Sequence, residues 1–93
     1  MRVKRYRVRG RVQGVGFRYF VWREAEALGI HGWVRNMADG SVEALVAGPT
    51  ESHERFKRSL EEGPRASRVT SVSVTDDADA EMPPRFEIRR DGV

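Results

Sequence analysis

No cysteine occurs among the 93 residues, which excludes thiol nucleophiles, thiolate zinc sites, iron–sulfur clusters and disulfide scaffolds. No apolar run approaches the ~20 residues that a membrane-spanning helix needs. The basic N-terminus, MRVKRYRVRG, has no apolar stretch after it; it does not read as a signal peptide, and the cytoplasm is the expected location. A chain of this length cannot be halved and still bury two cores without disulfides or metal, so one domain over 1–93 is expected. With 39% hydrophobic and 33% charged residues, it has the composition of an ordinary soluble globular protein.

Negative charge is scarce at one end. Residues 1 to 35 hold nine Lys or Arg against only Glu24 and Glu26, whereas the remainder is acidic overall, for a formal net charge of +3. The first third should carry a positive field, able to attract nucleic acid, anionic lipid or a small anion. Fifteen of the seventeen basic residues are arginine, which codon composition explains as well as any need for guanidinium chemistry.

Residues 3 to 9 alternate, with Tyr6 and Val8 on one face and Arg5, Arg7 and Arg9 on the other, the period of a half-buried strand. Gly10 to Gly16 reads as a loop, after which Phe17, Phe20, Val21, Ala25 and Leu28 form an apolar stripe of helical spacing ended by Gly29. Ile30 to Met37 predicts a second strand, Ala38 to Ser41 a turn, and Ser41 to Ala47 an antiparallel return with Val42, Ala44 and Val46 facing the core. After Gly48-Pro49, Thr50 is placed to cap a helix over Glu51 to Glu62 with Phe56 and Leu60 inward. Residues 68 to 75 read as a fourth strand, Asp76 to Pro84 as an acidic connection, and Phe86 with Ile88 as a short edge strand. The order β α β β α β predicts an α+β, ferredoxin-like split sandwich: an antiparallel sheet, both helices on one face, and a short extra C-terminal strand. The other face should be open to water.

The loop Arg11-Val12-Gln13-Gly14-Val15-Gly16 leads into the first helix, where unpaired N–H groups and the positive dipole end converge. Its glycines let successive amides curl inward into a concavity suited to phosphate oxygens. Arg18, in the first helical turn, could add a forked pair of hydrogen bonds to the same anion. A bland reading makes the glycines a tight turn and Arg18 a solvated residue, but a basic residue there opposes the dipole, which favours an anionic ligand. Neither a Walker loop nor a Rossmann fingerprint fits: no Gly-Lys-Ser/Thr follows, and Tyr19 stands at the third-glycine position. Asn36, at the end of Gly32-Trp33-Val34-Arg35-Asn36, either starts the turn or presents its amide to a water molecule or substrate oxygen. His31 and His53 have no carboxylate at convincing ligand spacing and read as structural. Glu24 and Glu26 point in different directions and read as solvated.

Gly10 to Arg18 and Gly32 to Asn36 together resemble the signature of the acylphosphatase family, GxVQGVxFR followed by GxVxN. The similarity extends to Asp39-Gly40, Gly48-Pro49, Gly63-Pro64, Ser67-Arg68-Val69 and Phe86-x-Ile88, nearly the whole chain; no motif covers Asp76 to Met82. The resemblance implies a small enzyme that hydrolyses the carboxyl–phosphate bond of acyl phosphates without metal or cofactor. It places Arg18 on the family's phosphate-binding arginine and Asn36 on the asparagine that orients water. The backbone amides of Gln13, Gly14, Val15, Gly16, Phe17 and Arg18 would complete the phosphate site, and Trp33 would pack beside it. The expected partners are an acyl phosphate and inorganic phosphate, with no nucleic acid, no membrane, and a monomeric state. Two rivals stand beside this reading. RNA-recognition modules share the β α β β α β order, but the third strand here has no stacking aromatic and Tyr6 turns inward. An accessory module that recognises acyl phosphates without hydrolysis as its purpose is the other.

Overall fold

Alternation on the first strand dictates which side of the sheet is dry, and the computed structural model, which describes residues 2–92, shows the consequence. Seven elements follow in order: β1 (Arg2–Arg11), α1 (Phe17–Leu28), β2 (His31–Asn36), β3 (Val42–Gly48), α2 (Thr50–Glu62), β4 (Arg68–Asp76) and β5 (Phe86–Ile88). The sheet order is β4-β1-β3-β2-β5. The first four strands pair antiparallel, as expected, while β5 lies parallel to β2, Val34 opposite Ile88, so the complete sheet is mixed. Direction was not readable from a three-residue strand; it follows from the long 77–85 connection, which carries the chain back to the far edge.

Tyr6, Val8, Val34, Val42, Ala44 and Val46 form one sheet face and are buried with Phe17, Val21 and Ala25 of α1 and Phe56 and Leu60 of α2. Both helices therefore cover that face, and their apolar stripes are what hold them there. Gly29, at φ 67°, ends α1 in the left-handed conformation. At α2 one expectation fails: Thr50 is the first helical residue, the cap position falls on Pro49, and no side chain bonds to the open amides. Glu24, expected to be solvated, accepts a 2.7 Å hydrogen bond from Ser59 Oγ and links the two helices.

The opposite face is not simply wet. Every residue of β3 is buried, Glu43 among them at 3% exposure. Registry explains it: Glu43 lies directly between Arg7 of β1 and Arg35 of β2. Arg35 donates through Nε and Nη2 to Glu43 Oε1 at 3.0 and 2.8 Å, while Arg5 Nη1 and Arg7 Nη2 donate to Oε2 at 3.0 and 3.2 Å. Long arginine stems can lie over the central strand while their heads remain partly hydrated. Because Val34 takes the core side, Trp33 points to this outer face, with the guanidinium carbons of Arg35, Arg89 and Arg5 at 4.6, 5.2 and 5.8 Å from its ring.

His53 is buried and packs against Tyr6. Its Nε2–H donates to the Arg2 carbonyl at 2.9 Å, which leaves Nδ1 to accept the Tyr6 hydroxyl at 2.5 Å, a neutral tautomer with both nitrogens satisfied. Burial lowers the His53 pKa below its ordinary value of 6.5. Burial pushes the Glu43 pKa up, but the hydrogen bonds from Arg35, Arg5 and Arg7 outweigh it and hold the carboxyl below 4.5. Both shifts oppose protonation of the folded state, so the unfolded chain takes up protons first as pH falls. Melting temperature is therefore expected to be level between neutral pH and pH 6.5, to decline below it as unfolded His53 protonates, and to decline again below pH 4.5 as Glu43 is titrated. Thermal melts across pH check this; His53→Gln should lose the first decline, and a level wild-type profile from pH 7 to pH 5 would refute the buried neutral ring.

Candidate active site

The segment between β1 and α1 must reverse direction within five residues, and it does so through left-handed Gly14 (φ 74°) and Gly16 (φ 77°). Nothing lies within 4 Å of where a Cβ would stand at either position, so backbone conformation rather than crowding calls for glycine. Gly16 occupies the cap position of α1 without any side-chain cap, and the first turn holds no acidic residue. Among the described residues, the amides of Gln13 to Arg18 donate to no protein acceptor, leaving a helix start with its donors unfilled.

The loop is anchored from outside. Gln13 Nε2 donates to the carbonyls of Met37 and Ser41 at 2.8 and 2.9 Å, fastening the loop to the β2–β3 turn, and Val15 packs against the core. Those two side chains thus turn away, whereas Gly14, Gly16, Phe17 and Arg18 line a cavity of about 310 Å³ together with Asn36. Val12, Tyr19 and Ile88 complete its wall.

Asn36 reaches this cavity because β1 and β2, both antiparallel to β3, run in the same direction, which brings the end of β2 to the same end of the sheet as the loop that follows β1. The turn after it is secured by Asp39, whose Oδ1 accepts the Ser41 amide at 2.9 Å and the Ser41 hydroxyl at 2.5 Å, bonds that also hold the Asp39 pKa below its usual range. The turn thus does not use the Asn36 carboxamide, which makes no hydrogen bond among the described residues. The main chain of Asn36 is engaged instead: its carbonyl accepts the Gly92 amide at 2.6 Å.

Arg18 is tethered on one side only. Its Nη1 donates to the Arg89 carbonyl at 3.0 Å and to Asp91 Oδ1 at 3.2 Å. Nε and Nη2 have no partner among the described residues, and together they form the edge of the guanidinium that matches two oxygens of one phosphate. The C-terminal segment, which also donates from the Arg89 amide to the Val34 carbonyl at 2.8 Å, therefore touches both candidate residues. Sequence reasoning missed this segment and the wall contributions of Tyr19 and Ile88: Tyr19 lies outside the apolar stripe of its helix, and Ile88 reads from sequence only as part of an edge strand. His31 is engaged elsewhere, with Nδ1 2.7 Å from the Pro84 carbonyl. No helix among the described residues is long and apolar enough to cross a membrane.

Residues 4–88 match the family model described as Acylphosphatase. The chain is 56% identical over 75 residues to an acylphosphatase of Koribacter versatilis, covering 81% of this chain and 68% of that protein. It is 44% identical over 89 residues to one from Syntrophotalea carbinolica, covering 96% of both. Its backbone is similar to the crystal structure of acylphosphatase from Bacillus subtilis, with a TM-score of 0.91 at 45% identity over 96% of this chain and 99% of that one.

Proposed function

The chain belongs to the acylphosphatase family and hydrolyses acyl phosphates, and from that premise we propose that Arg18, the amides of Gln13 to Arg18, and Asn36 perform the reaction without metal or cofactor. The observation that carries this assignment is that one cavity gathers Gly14, Gly16, Arg18 and Asn36, with the Nε–Nη2 edge of Arg18 and the carboxamide of Asn36 both uncommitted.

The loop amides and the Arg18 fork take the phosphoryl oxygens, which spreads and stabilises charge in an in-line displacement. Asn36 Oδ1 accepts a hydrogen bond from a water molecule and aims its oxygen at phosphorus. The new P–O bond forms as the bond to the acyl oxygen breaks; the carboxylate leaves with the electron pair. A carboxylate needs no strong protonation to depart, and a phosphoryl oxygen can take the water's proton, so no side-chain base is required. His53 is consistent with that economy, being buried beside Tyr6 with both ring nitrogens occupied. The proposal extends to a single domain over 1–93, a monomeric state, a cytoplasmic location, and no nucleic-acid or membrane partner.

Purified protein given an acyl phosphate should release inorganic phosphate at a rate that a chelator leaves unaltered, with inorganic phosphate as a competitive inhibitor. Loss of the rate in chelator would overturn the metal-free mechanism.

A further inference from the structure

Arginines crowd one corner of the outer sheet face, and the strand registry sets them against their own electrostatics. Arg9 and Arg11 of β1 share that face, because the alternating Val8 and Val12 are buried in the core. On β4, Arg68 stands directly opposite Arg11, and Ser71 directly opposite Arg9. Like charges placed opposite each other on antiparallel strands repel, and Arg9 adds a third guanidinium one step along the same face.

Carboxylates neutralise the rest of this face but not this corner. Asp77 and Glu43 take Arg5, Asp39 and Glu43 take Arg7, and Glu43 takes Arg35. Asp39 is near enough to feel the charge of Arg9, but its oxygens are bonded to Arg7 and Ser41. Arg9, Arg11 and Arg68 are all exposed. Their guanidiniums and the Ser71 hydroxyl make no hydrogen bond or ion pair among the described residues. Beside them the face is hollow: Arg5, Arg7, Arg9, Ser73 and Thr75 line a depression of about 250 Å³. Arg9 thus joins a polar hollow to an unneutralised pair.

We propose that Arg9, Arg11, Arg68 and the Ser71 hydroxyl form a second anion site, separate from the catalytic cavity, which takes an oligophosphate of two or three phosphoryl groups lying along β1. Guanidiniums present forked N–H pairs that match phosphoryl oxygens, and the hydroxyl adds a further donor. Two guanidiniums satisfy a single phosphate. Three of them, with Arg9 and Arg11 about 7 Å apart along the strand, call for negative charge on more than one group. The bound anion replaces the Arg11–Arg68 repulsion with two attractions, so binding and stabilisation go together. None of the four residues lines the catalytic cavity, and an anion seated on them leaves that cavity open.

The test is calorimetry with inorganic tripolyphosphate at physiological salt, in the wild type, in Arg18→Ala, and in Arg18→Ala carrying Arg9→Gln and Arg68→Gln as well. Arg18→Ala, whose catalytic loop is weakened for anions, should still bind tripolyphosphate, and the two added substitutions should weaken that binding by about tenfold or more. With Arg18 intact, the Arg9→Gln/Arg68→Gln protein should keep its acyl phosphate hydrolysis and its inhibition by orthophosphate within about twofold of the wild type. Thermal melts give a second reading. In phosphate-free buffer Arg68→Gln should melt at or above the wild type, because it removes a repulsion; in tripolyphosphate the wild type should rise above the variant. Binding that vanishes with Arg18→Ala alone, or an affinity that Arg9→Gln and Arg68→Gln leave unaltered, overturns the site. So does a rise in melting temperature that sodium chloride at equal ionic strength reproduces in full, which would be screening.

Discussion

Arg18→Ala is expected to lower kcat/KM for an acyl phosphate by about 10³-fold, or ~4 kcal/mol, the upper range for removing a donor aimed at developing charge. The same change should weaken competitive inhibition by inorganic phosphate, because the fork binds the ground-state anion as well as the transition state. Arg18→Lys should recover only part of the loss: it restores positive charge but not the parallel pair of N–H donors, and an ammonium reaches a phosphate as a point charge. Steady-state kinetics with circular dichroism as a control for folding will check both variants. Arg18 is half-buried at the edge of the core, so folding should survive the truncation. Activity of Arg18→Ala within tenfold of the wild type would remove the guanidinium from the mechanism.

Asn36→Ala should separate the two halves of the reaction. Its carboxamide faces the cavity but is assigned to water rather than phosphate, so kcat should fall about 10²-fold while the inhibition constant for phosphate stays within about twofold. The carbonyl that receives the Gly92 amide belongs to the main chain and persists in the variant, which keeps the strand edge intact. A parallel loss of phosphate affinity would show that the carboxamide holds the anion instead; an unaltered kcat would show that water needs no guide.

Much of the architecture is legible because two periods are written plainly into the chain. The two-residue alternation of Tyr6 and Val8 and the helical stripe from Phe17 to Leu28 place β1 and α1 and decide which sheet face is covered. Arg18 and Asn36 are legible for a different reason: each lies in a contiguous run of residue types that the family uses. Other features depend on registry between segments far apart in sequence. Glu43 stands at an outward position of its strand, where alternation predicts a solvated side chain, and only its placement between Arg7 and Arg35 buries it. Trp33 is adjacent to a motif residue, yet the inward choice of Val34 sends it to the far face. Thr50 is a good capping residue by type, but the backbone at Pro49 is already extended, with φ −69° and ψ 159°, and takes the cap position one residue earlier. Residues 89 to 92 have neither period nor motif; their contribution exists only because β5 lies beside β2.

That last placement has a thermodynamic consequence. An arginine side chain standing alone in water samples many rotamers, and a ligand that grips it must suppress them at a cost of ~0.5–1.5 kcal/mol. Here the Arg89 carbonyl and the Asp91 carboxylate, both on Nη1, narrow that ensemble when the chain folds. The loss of side-chain entropy then falls on folding rather than on association, which is worth up to about tenfold in affinity for any oxyanion arriving at the opposite edge of the guanidinium.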